Sequence, residues 1–393
     1  MSGFGEALAA LGAQGLLRRR RVVDSPCATR LVVDGRPLLA FCSNDYLGLA
    51  SHPALAAAAE EGARRWGLGA GASPLISGHQ SPHAALERRL AEFTGFERAL
   101  LFSAGYLANI GAIPALAGRG DAVFSDRLNH ASLIDAARLS RAETVVYPHG
   151  DLDTLAAALA TSTARRKLIV SDAVFSMDGD LAPLPGLLEL AERHDAWLLV
   201  DDAHGFGLLG PQGRGSLAHF GLASPRLLMM GTLGKAAGGA GAFVAGPDEA
   251  IEWILQRARS YVFNTAEPAL VAHALLTAID LIERADEARA NLAERIAQLR
   301  AGLRPGRWRL LPSATAIQPL PIGGNEETMA VAARLFERGL WVPGIRPPTV
   351  PEGTARLRIT LCAAHGADEV ARLIAALKDL EAERDNPSAR PGS

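Results

Sequence analysis

The sequence predicts an α/β chain, with a mainly parallel sheet of seven strands in a large domain and a smaller α+β domain after it. Three observations predict it. Seven short apolar runs punctuate the middle of the chain: "ALLFS" (99–103), "DAVFS" (121–125), "ETVVY" (143–147), "KLIVSDAV" (167–174), "AWLLVDD" (196–202), "LLMMG" (227–231) and "GAFVAG" (241–246). Helical stretches such as "HPALAAAAEEGARRWG" and "SPHAALERRLAEFTG" alternate with them, and continuous apolar strands separated by helices imply a sheet covered on both faces. The 393 residues are enough for one large domain and a smaller companion.

In chain order, residues 1–20 read as an amphipathic helix, and "RLVVDGRPLLAF" (30–41) as a hairpin turning at Asp34-Gly35. These form an N-terminal segment, 1–50. The strand–helix alternation defines a large domain over 51–290. Near its end "IEWILQRARS" is helical, and "EPALVAHALLTAIDLIERADEARANLAERIAQLRAGL" is a helix long enough to bridge domains. Over 291–383, "AIQPLPIGG", the helix "EETMAVAARLFERG", "LWVPGI" and "ARLRITLCAAH" suggest an α+β domain with antiparallel pairing. The polar, proline-containing residues 384–393 predict a disordered tail.

Composition excludes several function classes. A net charge of −2 gives no global field for nucleic acid or anionic membrane, and four arginines at 18–21 read as a solvated helix end. Cys27, Cys42 and Cys362 show neither metal-ligand nor disulfide spacing, which suits a reducing cytosol. No apolar run approaches about 18 residues, and the N-terminus lacks the order of a signal peptide. A soluble, cytoplasmic, metal-free protein is expected.

Only three of the 40 basic residues are lysines: Lys167, Lys235 and Lys378. Lys235 stands in "GTLGKAAGGAGAFVAG", just past the apolar run "LLMMG". Where arginine supplies charge almost everywhere else, an amine points to a group that must lose its proton and attack a carbonyl, which a guanidinium cannot do. The run "WLLVDD" ends in Asp201, followed by His204, and ligands of open α/β sheets bind beyond such strand ends. Alone, Asp-Asp-x-His reads equally well as a turn-capping carboxylate and a backbone-satisfied histidine. With Thr232 and the small-residue turn at 103–106 as phosphate donors, a lysine at one strand end and a carboxylate at the next are what pyridoxal phosphate requires: a Schiff-base lysine and a partner for the ring nitrogen. His130, after the next strand, could stack on the ring or cap its helix.

These residues lie in motifs that identify a family. "SNDYLGL" (43–49), "FSAGYLAN", "DRLNHASLIDAA", "FSMDGDLAPL" (175–184), "VDDAHGFGLLGPQGRGS", "TLGKAAGGAG" and "IRPPTVPEGTARLRITL" (345–361) occur in one order. The chain resembles the pyridoxal-phosphate α-oxoamine synthases of aminotransferase fold type I from about residue 18 to 365. The resemblance implies that Lys235 carries the cofactor and moves the α-proton, that Asp201 partners the ring nitrogen, and that His130 stacks on the ring. His204 and Ser176 would hydrogen-bond the cofactor near its phenolic oxygen, and Gly105, Tyr106 and Thr232 would hold its phosphate side. Thr265 would reach the phosphate of the other subunit, since family members are dimers with shared sites. Asn44 and Arg346 would hold an amino-acid carboxylate, Arg18 would contact the acyl substrate, and Thr349 sits where the family contacts substrate. A one-residue slip would move the role of Arg18 to Arg19, and Ser176 and Asn44 are also plausible turn residues. The segment 345–360 resembles most closely the branch that joins L-alanine to a pimeloyl thioester, carried on coenzyme A or on a carrier protein. Sister synthases that use glycine or serine, and non-catalytic subunits of the same fold, are the alternatives.

Overall fold

The computed structural model describes residues 3–303 and 306–385, apart from the side chains of 384 and 385. The chain divides into two compact units. One holds Leu47–Ser176 and Leu181–Asp286; the other holds the residues up to Tyr46, the Met177–Asp180 turn and the stretch from Glu287 onward. Most of the stretch expected at 1–50 and all the described residues of 291–383 thus contribute to one unit, while residues 47–50 belong to the other.

The smaller unit opens with the helix Gly3–Ala13, shorter than the expected 1–20. Gly15 adopts φ +66°, and Leu16 N–H closes on the Leu11 carbonyl at 2.8 Å, a glycine-based helix stop. Strands β1 (Arg30–Val33) and β2 (Arg36–Ala40) form the expected hairpin. Asp34 at φ 49° and Gly35 at φ 74° make its two-residue turn.

The larger unit contains β3 (Arg98–Phe102), β4 (Ala122–Asp126), β5 (Glu143–Tyr147), β6 (Lys167–Asp172), β7 (Trp197–Asp201), β8 (Leu227–Thr232) and β9 (Ala242–Gly246). They form one sheet in the order β3-β9-β8-β7-β6-β4-β5, parallel except for β9, which runs against both neighbours. Every residue of β4, β8 and β9 is buried, because helices cover both faces. The register pairs Asp172 with Asp201 and Asp201 with Met230, so the carboxyl ends of β6, β7 and β8 lie side by side.

The long helix expected after residue 266 is two helices, Ala269–Glu283 and Asp286–Gly302, broken at Arg284 and Ala285. The first is apolar and packs on the helices Pro53–Trp66 and Ser81–Thr94. A Cβ at Gly62 would stand 3.1 Å from the Leu270 backbone, so glycine sets how closely the two helices approach. The second helix is charged, and nearly all of it belongs to the smaller unit.

In that unit β10 (Ile317–Gly323), β11 (Leu340–Trp341), β12 (Gly344–Ile345) and β13 (Ala355–Thr360) complete two three-stranded sheets, β10-β13-β12 and β1-β2-β11. The first is antiparallel throughout, and β11 lies parallel to β2. Of the tail expected at 384–393, residues 386–393 lie outside the described residues; residues 384 and 385 close the helix Ala367–Asp385. No helix among the described residues is long and apolar enough to cross a membrane.

Candidate active site

Three adjacent strand ends assemble the larger unit's polar centre. Asp201, 3% exposed, closes β7; its Oδ1 accepts from Ala203 N–H at 3.1 Å and its Oδ2 from Asn109 Nδ2 at 2.8 Å. Asn109 is fully buried and also donates to Ser132 Oγ at 2.9 Å. Asp172, beside Asp201 at the end of β6, accepts from His130 N–H at 2.6 Å. Burial, then the neighbouring Asp201, push the Asp172 carboxyl well above the usual carboxylate range, since two adjacent buried carboxyls cannot both ionise cheaply. His130 caps the helix Ala131–Ser140, its Nδ1 lying 2.7 Å from Ser132 Oγ and accepting from Ser132 N–H at 3.3 Å. Nδ1 therefore accepts, which leaves Nε2 to carry the proton of a neutral ring. Surrounding protein holds this imidazole below the ordinary histidine value, with Asp201 opposing and Lys235 reinforcing.

Lys235 Nζ lies 2.9 Å from Nε2 of the buried His204, which joins the two motifs "DDAH" and "GTLGK" at one point. The turn carrying Lys235 is closed by Leu233 N–H to Gly241 O and Gly239 N–H to Leu233 O, both at 2.9 Å. The Thr232 hydroxyl serves the same turn, donating to Gly241 O at 3.3 Å. Gly105 opens the helix Gly105–Leu116, whose first-turn N–H groups have no carbonyl ahead of them. A Cβ built on Gly105 would meet Met230 and Thr232 at 3.7–3.9 Å, so this anion-binding turn and the end of β8 face each other. The Tyr106 hydroxyl donates to Asp135 at 2.7 Å. Ser176 is half-buried beyond the end of β6.

Thr265 is exposed, and with Ser103, Asn264, His83 and Glu267 it lines a separate cavity of about 30 Å³, room for a water or two. Burial raises the Glu267 carboxyl there to about 7, and its Oε2 has no hydrogen-bond partner. Between its unfolded value near 4.5 and about 7, the folded chain binds more protons than the unfolded one. Stability therefore falls as pH rises through that window, and the full penalty stands above it. Glu267→Gln is expected to unfold at nearly the wild-type denaturant midpoint at pH 4.5 and to be about 2–3 kcal/mol more stable at pH 8. Equal stability of the two proteins at both pH values would refute this.

The smaller unit carries the remaining expected residues. Asn44 Oδ1 accepts from Arg358 Nη1 at 3.1 Å and from the Tyr46 hydroxyl at 3.2 Å. Arg346 Nη2 donates to the Leu17 carbonyl at 2.8 Å, and Arg18 reaches Thr349 Oγ1 at 3.4 Å. Arg18, Arg19, Arg20, Arg21 and Arg346 share one cavity of about 630 Å³. Within the arginine run Arg18 meets Thr349, and Arg21 pairs with Asp34 at 2.8 Å.

Asn109, Ser132, Asp172 and Arg358 were not singled out as site residues in the sequence. Each lies in or beside a quoted motif, but only the fold shows that Asn109 and Ser132, 23 residues apart, hold one aspartate and one histidine.

Residues 36–377 match the model of the aminotransferase class I and II family. The chain belongs to that family. It is 63% identical over 376 residues to the 8-amino-7-oxononanoate synthase of Herminiimonas arsenicoxydans, covering 94% of this chain and 97% of the relative. The synthase of the same name from Azoarcus sp. (strain BH72) is 63% identical over 374 residues, covering 95% and 96%. Among solved structures, Sphingomonas wittichii serine palmitoyltransferase is similar at TM-score 0.91 and 32% identity, covering 97% of this chain and 96% of that one. The 8-amino-7-oxononanoate synthase of Francisella tularensis is similar at TM-score 0.77 and 28% identity, covering 88% and 99%. The fold is that of a fold type I pyridoxal-phosphate transferase, and the cofactor is pyridoxal 5′-phosphate.

The family's cofactor fits the residues present. A buried carboxylate, an amine and a helix N-terminus converge from neighbouring strand ends. A Cβ at Gly234 would meet nothing nearer than 3.7 Å, which leaves the lysine turn open to a flat ring.

Proposed function

We propose that this chain condenses L-alanine with a pimeloyl thioester and releases 8-amino-7-oxononanoate, CO2 and the free thiol, a step of biotin biosynthesis. The observation that carries this is the 63% identity to curated 8-amino-7-oxononanoate synthases over nearly the whole chain. The Lys235–His204 pair and Asp201, at neighbouring strand ends, supply the chemistry it needs.

Lys235 would hold the cofactor through Nζ, Asp201 would sit at its ring nitrogen, and His130 would cover a ring face. His204 and Ser176 would stand near its phenolic oxygen, and the Gly105–Tyr106 turn and Thr232 would hold its phosphate. When bound, pyridoxal phosphate supplies an electron sink for the amino acid's α-carbon. Lys235 Nζ takes and returns the α-proton, with His204 fixing the amine from 2.9 Å. Asp201, buried at the end of β7, would keep a proton on the cofactor's ring nitrogen. Arg346 and Asn44 hold the alanine carboxylate, and Arg18 and Thr349 hold the acyl chain. The α-carbon then bonds to the thioester carbon as the thiol leaves, and the resulting β-keto acid loses CO2. The protein works as a cytoplasmic homodimer in which Thr265 reaches the partner's cofactor phosphate.

Free-thiol release tests the substrate pair. The cofactor-loaded protein should turn over pimeloyl-coenzyme A with L-alanine, and be at least about tenfold slower with glycine or serine or with acetyl, succinyl or palmitoyl donors. Turnover confined to another pair would overturn the substrate assignment while leaving the family unchanged.

A further inference from the structure

Residues 16–20 form an exposed strap between two unequal anchors. Downstream the chain is well fixed: Val23 bridges Val33, Asp24 N–H bonds the Val32 carbonyl at 2.8 Å, and Arg21 pairs with Asp34. Upstream stands the helix Gly3–Ala13, which buries none of its residues. Leu16 N–H ties the strap's start to the Leu11 carbonyl of that helix at 2.8 Å, and beyond the helix the strap is held by Arg346 Nη2 to the Leu17 carbonyl, at 2.8 Å, and by Arg18 to Thr349, at 3.4 Å. The shorter of these last two comes from a guanidinium that is poorly provided for. Its Nη1 is directed at the Met329 sulfur, a weak acceptor, and its Nε is buried with no partner. Burial and the neighbouring Arg18 weaken its hold on its proton. Arg346 is thus an anion receptor whose contacts here are a carbonyl and a thioether.

We infer that Arg346 couples the two substrate subsites: when it takes the amino acid's carboxylate it lets go of Leu17, freeing the strap that carries Arg18 for the acyl donor. This rests on the proposed role of Arg346 at that carboxylate. Both bidentate forks of a guanidinium use Nη2, the nitrogen that now holds the strap, so a carboxylate bound in either way competes with the Leu17 carbonyl. The cavity of about 630 Å³ beneath the strap, lined by the arginines and Met329, is within the size range of small-molecule sites. The coupling makes the freedom of Arg18 depend on what Arg346 Nη2 holds.

The strap carries its own reporter, because trypsin cleaves after each of the arginines at 18–21. In the cofactor-loaded protein, saturating L-alanine is expected to speed loss of the N-terminal fragment about tenfold, the factor expected for one charge-assisted hydrogen bond lost from the closed state. L-Alaninamide keeps the amine but lacks the carboxylate, and should leave the rate unchanged. Arg346→Gln should be clipped rapidly with or without L-alanine. The wild-type comparison needs no variant to fold. Cofactor absorption, recorded in the same tubes, reports amino-acid binding independently of clipping. An absorption change with L-alanine and no faster clipping, or equal acceleration by L-alaninamide, overturns the coupling. If only glycine or serine shifts the absorption, the substrate assignment fails, and clipping with that amino acid decides the coupling. If no amino acid shifts it, both fail.

Discussion

Lys235→Ala is expected to lower product formation by at least about 10⁴-fold while leaving the fold intact. The size follows from one side chain serving two steps. Nζ must first hold the cofactor carbon and then move a proton at the α-carbon, and groups that act as a unit are lost together. His204 reaches Nζ from a buried site at 2.9 Å, but it is held at the end of a different motif and is not an amine. The substitution is mild structurally, because Lys235 is half-exposed and the closure of its turn at Leu233, Gly239 and Gly241 uses only backbone groups. Thiol release measured on the purified variant, beside its thermal midpoint, separates the two effects. Activity within about tenfold of wild type, in a folded protein, would remove Lys235 from the mechanism.

Residues that advertise themselves by type were legible in the sequence. A lysine among arginines, a carboxylate closing an apolar run and seven apolar runs of strand length each carry a local signal, and the seven runs became the seven strands of the large sheet. The antiparallel direction of β9 was not legible, because strand direction is set by the length and path of the connection. The break at Arg284 and Ala285 was hidden for a related reason: the residues on both sides favour helix, and the change is in which core each helix serves. The early end of the first helix did have a signal, Gly15, but glycine in a short, alanine-rich run reads as tolerable until its positive φ is seen. The supports of the site were hidden most. Asn109 looks like any polar residue inside a helix, and Asp172 like any strand-end carboxylate. Their importance comes from lying beside Asp201 in space.

That neighbourhood makes Asp201→Asn the most informative second substitution. Its expected effect is a fall in turnover of about 10² to 10⁴-fold at nearly unchanged stability. The amide is nearly isosteric, but it replaces an acceptor-only group with one that also donates. Ala203 N–H needs an acceptor at the Oδ1 position, so the new NH2 must take the other position and face Asn109 Nδ2, donor against donor. Asn109 can relieve the clash by turning its own Oδ1, which is buried without a partner, toward the new group. The cost is then its bond to Ser132 Oγ, about 1 kcal/mol. Ser132 is also the partner of the His130 ring, so the disturbance passes to the residue proposed to cover the cofactor. The negative charge has no substitute. Asp172 lies alongside, but burial holds it toward its protonated form, and its Oδ2 already accepts the His130 N–H. Removing the Asp201 charge takes away one of the two main causes of that rise, so the Asp172 carboxyl should titrate lower in the variant. Turnover, thermal midpoint and cofactor affinity measured together would test the assignment. A folded variant that binds cofactor as tightly as wild type and keeps turnover within about fivefold would show that the charge at the end of β7 is not what holds the ring-nitrogen proton.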